Sequence, residues 1–203
     1  MRTIILILFA VLLQISCSNN GTSTKPDPVF QLPPETQTGA NTFGVTINGK
    51  VYIPRDPTGG TFGPSGHGMT FWGTSDSSWN ELEVKDGASK VGFKIYIHLQ
   101  QLQATGVSKY KLKTSNFQNG IDSIPFNNIF FKIWDFNISN YAYYGSVEDQ
   151  GEVNITRYDL PNRIVSANFS GKFVRNDNPN DFIKITDGRF DIKWSTLDDT
   201  LFP

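Results

Sequence analysis

Cysteine, histidine and net charge are scarce in this chain, and each scarcity removes a class of function. A single cysteine in 203 residues excludes a disulfide framework. With only two histidines beside it, a Cys/His zinc site is excluded as well. Eighteen Lys+Arg against 19 Asp+Glu leave a net charge of −1, which removes a strong electrostatic case for binding nucleic acid or an anionic membrane. Long apolar runs are missing too. The longest, Ile4 to Leu13, is ten residues. As a helix it would span about 15 Å, half of a ~30 Å hydrocarbon core, which excludes a permanent transmembrane helix. No helical pattern is long enough for a βαβ crossover, which excludes a parallel sheet. Charged residues reach 18% and hydrophobic residues 38%, below the roughly 25% and 45–50% of average globular chains. Uncharged polar residues fill the gap, 17 of them Asn, while aromatics reach 13%.

What is present begins with an address. Arg2, the apolar run and the small residue Ser16 read as a secretory signal over residues 1–16. The only cysteine, Cys17, follows directly. This arrangement resembles the lipobox of bacterial lipoproteins, with Gln14 where the pattern usually has Leu and Leu13 one position earlier. The resemblance implies cleavage before a diacylated Cys17, and two or more acyl chains suffice for stable anchoring. Residues 17–41 then read as the lipidated cysteine and a flexible tether, rich in Ser, Thr, Asn and Gly and carrying Pro26, Pro28, Pro33 and Pro34. Ser18-Asn19-Asn20 lacks an acidic cluster, which favours the periplasmic face of the outer membrane over the cell surface.

Residues 42–203 read as one all-β domain. Val91, Phe93, Ile95, Ile97 and Leu99 alternate with Gly92, Lys94, Tyr96 and His98, and Val165 to Phe173 repeats the pattern. Shorter runs lie at 81–85, 109–113, 129–136 and 152–156, and only Leu99 to Ala104 hints at a helical turn. About ten strands must hide their edges. An antiparallel β-sandwich is the expected fold, with a closed, lipocalin-like up-and-down β-barrel as the alternative. Two hairpins are expected. A two-residue turn at Asp187-Gly188 would place Ile185 opposite Phe190 and Ile183 opposite Ile192. A three-residue loop, Ile47-Asn48-Gly49 with Gly49 left-handed, would pair Val45 with Val51.

Four segments carry a resemblance to a family. They are Asn41-Thr42-Phe43 leading into Ile47-Asn48-Gly49-Lys50, the stretch 151–159, Arg163-Ile164-Val165-Ser166, and Ile185-Thr186-Asp187-Gly188-Arg189-Phe190-Asp191. Together they resemble a family of small lipoproteins of Gram-negative bacteria with no assigned function. The resemblance implies a lipoprotein signal and an envelope location, and it brings no catalytic or binding residue.

Chemistry is thin. The glycine-rich stretch 58–73 around His67 lacks the Lys-Ser/Thr of a phosphate loop, and His67 stands where a nucleophile elbow needs its second glycine. It reads as a surface loop, or as a loop shaping a ligand site. His98 lies on the polar side of its strand and is expected to be solvated or hydrogen-bonded. Glu81/Glu83 and Asp135 with Glu148 are carboxylate pairs of the kind a glycosidase uses. The oxygen-rich segment 175–181 lacks the central glycine and the twelfth-position Glu of a calcium loop and reads as a turn. No catalytic residue, metal ligand or cofactor is assigned. The aromatics offer the one lead: Phe130, Trp134, Phe136, Tyr141, Tyr143 and Tyr144 could form a platform for a sugar or another small ligand, or pack as core and rim. The expectation is a lipid-anchored envelope protein, a non-enzymatic binding or assembly module whose partners are the membrane and a glycan or envelope protein. The alternatives are glycan or small-ligand binding through exposed aromatics, and a hydrolase of envelope or dietary glycans.

Overall fold

The computed structural model describes residues 29–58, 66–74, 76–89 and 91–203. The signal read over 1–16, Cys17 and residues 59–65 of the glycine-rich stretch therefore lie outside the described residues. Ten strands carry the fold: β1 (Thr42–Ile47), β2 (Lys50–Tyr52), β3 (Met69–Gly73), β4 (Trp79–Lys85), β5 (Lys94–Gln100), β6 (Lys109–Lys111), β7 (Asn128–Asp135), β8 (Asn140–Asp159), β9 (Ile164–Arg175) and β10 (Asn178–Lys193). Among the described residues, helix is confined to α1 (Leu102–Thr105) and two 3-10 turns, Gly120–Asp122 and Leu197–Asp199.

The strands form one antiparallel sheet in the order β2-β1-β10-β9-β8-β7-β5-β4-β3, with β6 beside the second half of β8. The sheet stays open at β2 and β3 and wraps face onto face as a β-sandwich. Its two ends are drawn together by a single parallel bridge, Arg55 to Asp86. Arg55 N–H donates to the Lys85 carbonyl at 3.0 Å, and its guanidinium grips Asp86 through two bonds of 2.8 and 2.7 Å. Nearby, Tyr52 and Phe93 meet edge to face at 4.8 Å.

Period-2 alternation fills the core as the sequence requires. Phe93, Ile95, Ile97 and Leu99 are buried, as are Val165, Ala167, Phe169 and Phe173. They join Val45, Leu82, Phe131, Val153 and Ile192 in one cluster. At about 25 cal/mol per Å² of apolar surface buried, that cluster supplies the main drive to fold.

Both expected hairpin registers are corrected. Asp187-Gly188 is not a turn: β10 runs straight through it, and the pairing with β9 shifts between Ile185↔Gly171 and Gly188↔Phe169. It is a β-bulge. One extra residue moves Phe190 and Ile192 onto the face of Ile183 and Ile185, the same change of parity that a two-residue turn would produce. At Asn48-Gly49 the loop has two residues, not three: Val45 pairs with Tyr52 and Ile47 with Lys50. Asn48 (φ 48°) and Gly49 (φ 81°) are both left-handed, as a type I′ turn demands. Val51 thus lies opposite to Phe43 and Val45, and Tyr52 takes the core side. β2 is a three-residue edge strand with neither face deeply buried, so the turn sets the register rather than burial.

Residues 29–41, expected as the end of the tether, lie along the sandwich. Asn41 is buried and donates to Thr196 and Thr200 at 3.1 and 2.7 Å. Phe30 stacks its ring 5.2 Å from the Arg55 guanidinium.

Candidate functional site

β7 and β8 divide the expected aromatic platform between two faces. Trp134 pairs with Tyr141, Lys132 with Tyr143, and Phe131 with Tyr144. Trp134, Tyr141 and Tyr143 therefore share the outer face, while Tyr144 turns to the core, buried, with its hydroxyl on Asp181 at 3.1 Å. Phe130 is on the outer face but covered, stacked on Tyr96 at 4.6 Å and met by Phe117 at 6.3 Å. Phe136 stands exposed just past β7. The two outer tyrosine rings already face a cation, with Lys132 Nζ 4.4 Å from Tyr141 and 5.7 Å from Tyr143.

On the same outer face a polar row is sealed from water. Glu81, His98 and Asn128 stand opposite one another across β4, β5 and β7, with the half-exposed Trp72 of β3 at the outer end of the row. The connection from β6 to β7 lies over them. Gly120 N–H reaches both Glu81 oxygens at 3.2 and 3.0 Å. Ser115 donates to Asn128, whose amide donates to Ser123 and to the Phe126 carbonyl. Glu81 is 0% and His98 2% exposed, with Nδ1 3.1 Å from Glu81 Oε2 and Nε2 2.7 Å from the Gln100 amide nitrogen. The two contacts fit a ring that accepts the Gln100 amide N–H at Nε2 and donates Nδ1–H to Glu81 as a hydrogen bond. The geometry is that of an acid–base relay, but its third member is an amide, which has no nucleophile to activate. What the row does is position rings: Trp79 stacks on His98 at 5.2 Å and meets Trp72 edge-on at 5.0 Å.

The other carboxylates read from the sequence are engaged by cations. Glu83 takes Lys94 at 2.9 Å, and Glu148 takes Lys113 at 2.5 Å. Asp135, Asp177 and Asp181 converge on Arg175 at 2.9, 2.6 and 3.2 Å, so the charge of the 175–181 segment meets a guanidinium. Those carboxylates drive the Arg175 pKa further up, and the Asn137 backbone N–H and Arg175 hold Asp135 below the usual carboxylate range. Among the described residues no group of three or more His, Cys, Asp and Glu is placed to hold a metal.

A different aromatic group forms a cleft of about 260 Å³ where β3 ends. Phe71 of β3, Tyr158 of β8 and Trp194 after β10 make its floor, with Phe71–Trp194 centroids 5.9 Å apart and Tyr158–Trp194 nearly parallel at 6.1 Å. Burial lifts the Tyr158 pKa, so its hydroxyl stays neutral. Thr74 and Ser77 of the β3–β4 turn, Asn80 of β4 and Gln103 of α1 form the rim, and Trp72, 41% exposed, stands at its edge. Two left-handed residues, Ser77 (φ 59°) and Gln101 (φ 54°), fix the rim, and Gln101 N–H donates to the Ser78 carbonyl at 2.9 Å. Strain of this kind persists where surrounding structure enforces it. The floor rings come from positions 71, 158 and 194, and no local spacing connects them. Comparison of the chain with protein-family models, with curated proteins and with solved structures gives no match.

Proposed function

We propose that this chain is a lipid-anchored protein of the cell envelope, held at the periplasmic face of the outer membrane through Cys17, and that it works as a non-enzymatic binding module whose ligand enters the cleft at the end of β3. The cleft carries the proposal: it is floored by rings, rimmed by uncharged polar groups and stiffened by hydrogen bonds between its walls. The position of Cys17 directly after a ten-residue apolar run supports the anchor. Placement supports the pairing of the two. Phe30 sits by Arg55 at the Asp86 end of β4, whereas the cleft opens at Asn80, six residues and about 20 Å back along the strand. The first described residues thus lie at the end of β4 away from the cleft.

The anchor is tested by the intact mass of natively expressed protein extracted from membranes with detergent. A mass of residues 17–203 plus two or three acyl chains, lost in Cys17→Ser, is expected. An unacylated mass, or a Cys17→Ser protein that stays membrane-bound and unchanged in mass, contradicts it.

A further inference from the structure

We propose that the cleft at the end of β3 is a site for a neutral saccharide; the proposal rests on reading that cleft as the ligand site. Charge gives the first argument. No Asp, Glu, Lys, Arg or His lines it. Two other concavities hold Glu35, Arg189 and Asp191, or Arg55 and Asp86, while a third, beside Ile53 and Phe202, has no charged side chain either but lacks the stacked ring pair. A phosphate, a carboxylate or a cationic peptide entering the cleft would lose water and find no counter-charge among its lining side chains.

Surface chemistry gives the second. Trp194 stacks on Tyr158 with planes 22° apart and tilts against Phe71, and together the rings give the cleft an apolar wall that suits the C–H groups of a pyranose ring. Above it, the side-chain amides of Asn80 and Gln103 make no hydrogen bond among the described residues. Each amide offers two donors and an acceptor, the pattern that pairs with neighbouring hydroxyls. A hydrocarbon ligand would cover those amides and leave them unsatisfied. A sugar satisfies both rings and amides. Size gives the third: about 260 Å³ falls just under the roughly 300–1,000 Å³ of sites for drug-sized molecules, room for a single ring and part of its neighbour.

The test uses the full chain in detergent, titrated calorimetrically with maltose, cellobiose, lactose and mannobiose. At least one is expected to bind saturably, about tenfold or more weaker in Gln103→Ala and in Trp194→Ala, and unchanged in Trp134→Ala. Trp194 also packs against Phe71 and Tyr158, so Gln103→Ala, exposed on α1, carries the test if Trp194→Ala does not fold. The neutral apolar probe N-phenyl-1-naphthylamine separates the two ways of failing. If it binds in a manner sensitive to Trp194 while no saccharide binds, the cleft is a ligand site and the saccharide proposal is overturned. If neither binds, both fall. Saccharide binding lost only in Trp134→Ala moves the site to the outer face and overturns the proposal.

Discussion

The Asp191 carboxylate holds the backbone N–H of Gly39 at 2.8 Å, joining the last strand to a residue 152 positions earlier. The same carboxylate accepts the N–H groups of Thr38 and Ala40 at 2.9 and 3.1 Å and the hydroxyls of Thr36 and Ser166 at 2.6 and 2.7 Å. Burial pushes the acid's pKa up, but these donors outweigh burial and hold it below 3.8. A depressed folded pKa means that the stability it contributes is fully present above the unfolded value near 3.8 and is lost as pH falls through the folded one. Asp191→Asn is expected to cost about 2–3 kcal/mol in urea unfolding at pH 7, and to flatten the acid limb of stability below pH 4. An unchanged midpoint would mean that residues 36–40 are not held by this group.

Gly188 marks the bulge in β10. A Cβ there would sit 2.4 Å from the Phe169 ring, whereas Asp187 beside it is exposed. Gly188→Ala should cost about 1–3 kcal/mol by overpacking, and Asp187→Ala less than about 0.5 kcal/mol. Equal, small effects would fit an exposed turn and contradict the bulge.

At Gly49 the cost is conformational alone, because an added Cβ meets nothing within 4 Å. Gly49→Ala at φ +81° should destabilise by about 1 kcal/mol, read from the denaturation midpoint with an unchanged slope. No change would place Gly49 outside the left-handed region.

Glu81 and His98 keep the β6–β7 connection down on the sheet. Removing one partner leaves a buried polar atom of the other without its hydrogen bond, so Glu81→Ala or His98→Ala should cost about 1–3 kcal/mol. Hydrogen exchange should then quicken across 115–127 before it quickens in β9. Exchange unchanged across that segment would show that the pair does not secure it.

Most strands were legible in the sequence because alternation and burial agree, as at Ile95, Ile97 and Leu99 or Val165 and Phe169. The 185–190 segment was misread because alternation records parity alone, and a bulge and a two-residue turn change parity alike. At 45–52 burial was trusted to set a register that an unburied edge strand leaves to its Asn-Gly turn. His98 was expected to be solvated or hydrogen-bonded; it is hydrogen-bonded and buried, and the burial was hidden because the lid over it is a polar connection rather than an apolar run. Of the expected platform, Trp134, Tyr141 and Tyr143 share a face because pairing across a tight hairpin is local. The cleft rings Phe71, Tyr158 and Trp194 meet only because the sheet wraps, and that closure over more than a hundred residues leaves no local mark.

The four tryptophans, Trp72, Trp79, Trp134 and Trp194, allow the most direct measurement of where ligand sits. In protein carrying ¹⁵N only in its indoles, the four signals are followed as the tightest-binding neutral disaccharide is added. Shifts of Trp194 and Trp72 with Trp134 unmoved are the expected result and place the ligand in the cleft. Movement of Trp134 with Trp194 still would contradict it and put the binding surface on the outer face of β7 and β8.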